Sequence, residues 1–157
     1  MFYALAELSK AFLSSPKMDR TSVQIRLHPP PINTHIDPKQ LRVDERSKEL
    51  LCKSILERVT QMPFRKTRAI PWLVNPHTKR RLELDLYNAS LNVALEFDGV
   101  QHFKYIEGVH KSIDVFQKMQ ERDTLKTNLC KSHGLKLIRI PYWLTETEIE
   151  NVIINSL

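Results

Sequence analysis

Between Arg81 and Asp98 the chain reads as two short alternating runs joined by four residues. In Arg81-Leu82-Glu83-Leu84-Asp85-Leu86-Tyr87 every second residue is a leucine. In Leu91 to Asp98, Val93, Leu95 and Phe97 alternate with Ala94, Glu96 and Asp98. A period of two marks a strand with distinct faces. The connection Tyr87-Asn88-Ala89-Ser90 is short enough to make the two strands antiparallel neighbours. The pattern predicts Leu82, Leu84 and Leu86 on one face, and Asp85, Glu96 and Asp98 together on the other side of one hairpin. Carboxylates crowded in this way raise each other's proton affinity. A cation relieves that crowding, and hard oxygen ligands suit Mg²⁺ or Mn²⁺. A solvated outer sheet face also carries alternating charge. What sets this hairpin apart is the exit of the second strand into Gly99-Val100-Gln101-His102, since sites are built where strands run into turns.

Around the hairpin the chain alternates helix and strand signals. Asp44-Glu45-Arg46-Ser47 suits a helix start, because acids favour its positive end. Leu51, Cys52, Ile55, Leu56 and Val59 form one apolar arc up to Thr60, with Glu49 at its edge and Pro63 beyond. Residues 67–74 and 80–87 read as strands around a turn at Asn75-Pro76, and residues 91–98 as a third. Residues 112–132 read as a helix stopped by Gly134. Leu135–Ile140 is a fourth strand, closed by Pro141. Thr145 to Leu157 is a last helix, with Thr145 and Glu148 spaced as a capping box. The expected order is α-β-β-β-α-β-α over residues 44–157. Ahead of it, residues 1–14 suit a short amphipathic helix through Phe2, Leu5, Leu8 and Phe12, without the basic start and cleavage signal of a targeting peptide. Val23–Leu27 suits a strand, and the proline-rich stretch from His28 to Pro38 an extended arm. Residues 1–43 are thus read as a helix and arm outside the core.

Composition narrows the function classes. The chain has 157 residues, 24 Lys+Arg against 18 Asp+Glu, and a net charge of +6. That excess permits a polyanionic partner without requiring one. Three glycines leave no room for the glycine-rich loops that cradle nucleotide phosphates. No apolar run approaches the roughly 20 residues of a membrane span, so no membrane partner is expected. Two cysteines make no disulfide framework, which suits a reducing, intracellular setting. Dispersed histidines without a CxxC give no zinc site.

The helix after the hairpin carries a second irregularity. Val115, Phe116, Met119, Leu125, Leu129 and Cys130 define its apolar half, yet Asp123 and Lys126 fall within it. A charged pair on a buried arc needs a partner: either each other, or the carboxylates of the hairpin.

Together these residues resemble the PD-(D/E)XK nuclease superfamily, the restriction-endonuclease-like fold, and within it the very-short-patch-repair-like branch. The features that carry the resemblance are a strand Asp (Asp85), a strand acid leading into Asp98-Gly99 (Glu96), a nearby His102, a helix acid (Glu49), a following helix Asp (Asp123) and the closing Gly134-Leu135-Lys136-Leu137-Ile138-Arg139 strand. It spans residues 45–143. It implies an α/β fold: a restriction-endonuclease-like core with a mixed four-stranded sheet flanked by helices. It also implies metal-dependent hydrolysis of phosphodiesters, most naturally in DNA, by nicking or by junction- or repair-type cleavage. Asp85 and Glu96, with Asp98 and Glu49, become the ligands of Mg²⁺ or Mn²⁺. His102 becomes the general base or water-positioning group, with Asp123 orienting it. The superfamily lysine usually lies two residues after the strand acid, where this chain has Asp98, so Gln101 or a migrated Lys126 takes its place.

Arg65, Lys66, Arg68, Lys79, Arg80 and Arg81, around the first hairpin, are the expected phosphate contacts. A double-strand cut by a chain with one site calls for a second copy, so a homodimer is a further expectation. A rival keeps the fold without catalysis. The RAP-type RNA-binding domain resembles Glu96, Asp98, Gly99, His102, Phe103, Lys126, Gly134 and Pro141-Tyr142-Trp143 equally well, but has no use for Asp85, Glu49 and Asp123.

Overall fold

The computed structural model describes residues 28–29 and 37–157. The helix and strand expected at 1–14 and 23–27 lie outside the described residues. Helix α1 spans Pro38–Thr60 and begins six residues ahead of the Asp44 start read from the sequence. Asp37 is its N-cap, accepting from the Lys39 amide at 2.9 Å. Pro38 fits the first helical position, where its missing N–H is no loss. The segment up to residue 43, expected to be an extended arm, is therefore helical from Pro38 onward.

Four strands follow in order across one mixed sheet: β1 (Arg65–Thr67), β2 (Leu84–Asn88), β3 (Val93–Asp98) and β4 (Lys136–Pro141). β1–β2 and β2–β3 are antiparallel, and β3–β4 is parallel. The parallel pair is joined through α2 (Ile113–Ser132), and α3 (Glu146–Ser156) closes the chain. Gly134, at φ +68°, releases the chain from α2 as the left-handed residue after the helix. Thr145 and Glu148 form the expected reciprocal capping box.

Two expectations change. The first strand is three residues long rather than 67–74. Pro71 sits in a turn closed by the Leu73 amide on the Ile70 carbonyl (3.3 Å), and only Val74 pairs again, with Arg81. The three leucines of the second run also do not share a face. Between Arg65↔Tyr87 and Thr67↔Leu84 two steps of β1 oppose three of β2, and such an irregularity re-aims side chains. Leu86 packs with α1 and α3, whereas Leu82 and Leu84 join a second cluster.

The sheet is covered on both faces. Cys52, Ile55 and Leu56 of α1, with Ile149, Val152 and Ile153 of α3, bury Val93, Leu95 and Phe97. Cys130 of α2 packs with Ala94, Leu84 and Leu135 on the other side. Val115, assigned to the apolar half of α2, is 44% exposed. All six residues of β3 are buried, so Glu96 and Asp98 enter the interior as charges in need of partners. No described helix is long and apolar enough to cross a membrane.

Candidate active site

The α2 face of the sheet carries a row of charges, one from each strand. One step beyond the Leu86↔Leu95 pair, Asp85 of β2 stands opposite Glu96 of β3, and its amide donates to Glu96 Oε1 at 3.1 Å. Glu96 pairs in register with Arg139 of β4. On the outer side Lys66 of β1 lies 3.2 Å from Asp85 Oδ1 and 3.4 Å from Glu83. Lys126 completes the row from above: its ammonium reaches down from α2 to Glu96 Oε2 at 2.5 Å. The charged pair on the apolar arc of α2 therefore splits: Lys126 serves the sheet, and Asp123 has a different partner.

Asp123 takes the other partner. Its Oδ2 lies 2.6 Å from His102 Nδ1, at the end of the 3₁₀ turn Val100–His102. Burial alone would lower the His102 proton affinity, but the hydrogen bond and charge of Asp123, with the charge of Asp98, outweigh it and raise the pKa. Burial alone would raise Asp123, but His102, with Arg139 and Lys126, holds it below the usual carboxylate range.

Asp98 stands apart from the pair Asp85/Glu96. Both its oxygens are held by Arg139: Nε donates to Oδ2 at 2.8 Å and Nη2 contacts Oδ1. Arg139 also donates to Thr127 Oγ1 at 3.2 Å and to the Asp123 carbonyl at 3.4 Å. A carboxylate gripped on both oxygens by a buried guanidinium has little left to offer a metal ion. The sequence grouped Asp98 with the other acids by strand parity alone, because its partner lies 41 residues away.

Burial pushes the Glu96 carboxyl up to about 7, against the pull of Lys126 and with the charge of Asp85 adding to the rise. Glu49, half-buried on α1, is raised by burial and then by Asp85. Lys66 is raised because Asp85, Glu49 and Glu83 outweigh its partial burial. Glu96 and Glu49, both raised, thus share one electrostatic neighbourhood around Asp85. Among the described residues no three His, Cys, Asp or Glu side chains group as a metal site. The donor set is two facing carboxylates, Asp85 and Glu96, with Glu49 nearby. A pair of carboxylates is the donor type that Mg²⁺ takes, but Glu96 Oε1 already accepts from the Asp85 amide and Oε2 from Lys126.

The expected phosphate contacts divide in two. Lys66 and Arg68 are committed to acids, Arg68 to Glu83 at 2.7 Å. Arg65, Lys79, Arg80 and Arg81 are exposed and enter none of the ion pairs of the described residues. Gln101 lies in the 3₁₀ turn beside Glu45 of α1, a residue the sequence reading passed over. The signal was present: Glu45 and Glu49 are spaced i, i+4 and share one helical face. Arg139 was read only as part of a closing strand motif. Its charge between the buried Ile138 and Ile140 was the clue to its role.

No family model matches the chain, and no solved structure does. Three viral proteins are similar. Protein 094L of Frog virus 3 (isolate Goorha) is 38% identical over 113 residues, covering 71% of this chain and 72% of its own length. Protein 033L of Invertebrate iridescent virus 3 is 33% identical over 101 residues, 64% of this chain and 52% of its own. Protein 307L of Invertebrate iridescent virus 6 is 36% identical over 100 residues, 60% of this chain and 49% of its own. All three are uncharacterized proteins, and the matched region is about half of the latter two.

Proposed function

The chain belongs to the family of protein 094L of Frog virus 3, and we propose that it is a metal-dependent nuclease with a restriction-endonuclease-like core, hydrolysing phosphodiesters in DNA. One observation carries this reading. Asp85 and Glu96 face each other from adjacent strands while Lys126 delivers an ammonium to Glu96 at 2.5 Å. Two acids and a lysine in one place are the parts needed for cation-assisted phosphoryl chemistry. The lysine comes from α2 rather than from β3, where Asp98 occupies its usual position.

In this mechanism Asp85 and Glu96 would hold Mg²⁺ or Mn²⁺, with Glu49 close enough to assist. The bound ion supplies Lewis-acid polarisation of the scissile phosphate and acidifies water. The remaining work falls to the chain. Lys126 places positive charge where the phosphoryl oxygens gain negative charge in the transition state. His102 donates from Nδ1 to Asp123, which leaves its lone pair on Nε2, the atom that takes the proton of the attacking water. Arg139 removes Asp98 from competition for the cation and anchors the stretch of α2 that carries Asp123 and Lys126. Arg65, Lys79, Arg80 and Arg81 bind the flanking phosphates.

Incubation of the purified protein with supercoiled, linear, branched and single-stranded DNA, with and without Mn²⁺, tests the reading. Cleavage should require the cation and fall at least about 100-fold in Asp85→Ala, with the circular dichroism spectrum unchanged. Cleavage retained by Asp85→Ala would overturn the assignment. Tight RNA binding without cleavage of any substrate would replace it with the RAP-type binding module.

A further inference from the structure

Gly99 lies between the buried acids of β3 and the turn that carries His102, and its missing side chain has been filled from elsewhere. An ideal Cβ on Gly99 would lie 1.7 Å from Glu45 Oε1, 2.6 Å from Glu45 Cδ and 2.5 Å from Gln101 Oε1. The backbone of Gly99 is extended (φ −64°, ψ 168°), so its conformation does not call for glycine. What calls for it is space, which the Glu45 carboxyl occupies. Both oxygens at this point, Glu45 Oε1 and Gln101 Oε1, are buried and have no hydrogen-bond partner. Two acceptors left facing one vacancy are costly, and a single hydrogen between them satisfies both. Burial raises the Glu45 carboxyl, while Gln101, the charge of His102 and that of Arg42 offset this only in part and Glu49 adds to it.

Gln101 is the middle residue of the 3₁₀ turn, which is closed by the His102 amide on the Gly99 carbonyl at 3.0 Å and the Phe103 amide on the Val100 carbonyl at 3.0 Å. We propose that Glu45 is a positioning residue for His102: lodged where a side chain at position 99 would stand, it clasps Gln101 by a hydrogen bond and so fixes the turn that presents His102 to Asp123. His102 is then held from two helices, by Asp123 of α2 directly and by Glu45 of α1 through the turn. The kinetic arm of the test rests on the nuclease reading, but the spectroscopic arm does not.

Three variants decide it: Glu45→Ala, Glu45→Gln and Gly99→Ala. The Gln variant keeps a hydrogen-bonding partner of the same shape for the Gln101 amide and should behave as wild type. Glu45→Ala, which loses the clasp, should lower kcat about 10- to 100-fold with KM unchanged. Gly99→Ala, which evicts the carboxyl, should do the same. The His102 ring proton resonance, followed against pH by NMR, should titrate as wild type in Glu45→Gln and at a lower pH in the other two, because contact with Asp123 loosens. If the wild-type protein cleaves nothing, the NMR titrations still decide the point. A His102 titration unchanged in Glu45→Ala would overturn the proposal. So would a Glu45→Gln variant as impaired as Glu45→Ala, or a Gly99→Ala variant with wild-type titration. Should Gly99→Ala fail to fold, the pair at position 45 carries the test alone.

Discussion

His102 and Asp123 titrate as a pair, and the pair has a definite pH window. The His102 pKa is raised above its ordinary 6.5, so its stabilisation is present below 6.5 and is lost as pH rises through the folded value. The Asp123 pKa is lowered below 3.8, so its stabilisation is present above 3.8 and is lost as pH falls through the folded value. The pair is worth most between these limits. In thermal melts, the Tm gap between wild type and Asp123→Asn should be widest near about pH 5 and clearly narrower near about pH 9. An equal gap at both would show that the contact is not an ion pair. On the proposed nuclease reading, the acid limb of the cleavage profile should also move to lower pH in Asp123→Asn, since His102 loses the neighbour that raised it. At this scale the sequence was legible where a residue broke its own pattern. Asp123 and Lys126 stood out as charges on an apolar arc, and Asp85 and Glu96 as acids of one parity. Glu45 showed only as the i, i+4 neighbour of Glu49. It looked like an ordinary acid in a first helical turn, and only the vacancy at Gly99 gives it meaning.

At the scale of elements, Arg139 has the widest reach. From β4 it grips Asp98 on β3 and touches Asp123 and Thr127 on α2. Its own pKa is raised because Asp98 outweighs the burial that would lower it. Arg139→Met keeps much of the packing but strips Asp98, at 4% exposure, of its guanidinium, leaving only His102 at 4.0 Å. Urea unfolding should show a loss of about 3 kcal/mol, and Asp98→Asn in the same chain should restore part of it. A loss no larger than that of an exposed arginine would mean the triple contact contributes nothing to stability. Most elements could be read from periodicity and caps, and β3, α2 and α3 start within two residues of expectation. The exceptions have physical causes. Pro38 looked like a breaker but served as a first helical residue behind Asp37. Pro71 cut the first strand short by taking a turn. The register change between β1 and β2 moved Leu82 and Leu84 away from Leu86, and strict alternation has no means of showing that.

Over the whole molecule, the net charge of +6 resolves into separate populations. Lys66, Arg68, Lys126 and Arg139 neutralise acids of the sheet, while Arg65, Lys79, Arg80 and Arg81 remain on the surface. On the proposed nuclease reading, the second group is better placed than the first to release counterions from DNA. The slope of log Kobs against log salt should therefore become shallower by about 1 for each of Arg80→Ala and Arg81→Ala, and by less for Arg68→Ala. Equal changes at all three would mean that the Glu83 contact does not withhold Arg68 from phosphate. The sequence showed the basic residues but not which of them were already spent, because their acidic partners come from a different strand.

The parallel pairing of β3 with β4 also bears on how the chain reaches this state. Hairpin β2–β3 is local in sequence and can close early, yet its central strand carries Glu96 and Asp98. Their counter-charges, Lys126 and Arg139, lie 30 and 41 residues downstream. Until those residues arrive the hairpin cannot be buried without stranding two carboxylates, so the sheet stays wet. On a ribosome, the interior of this protein can become dry only once synthesis has passed Arg139 and the strand that carries it.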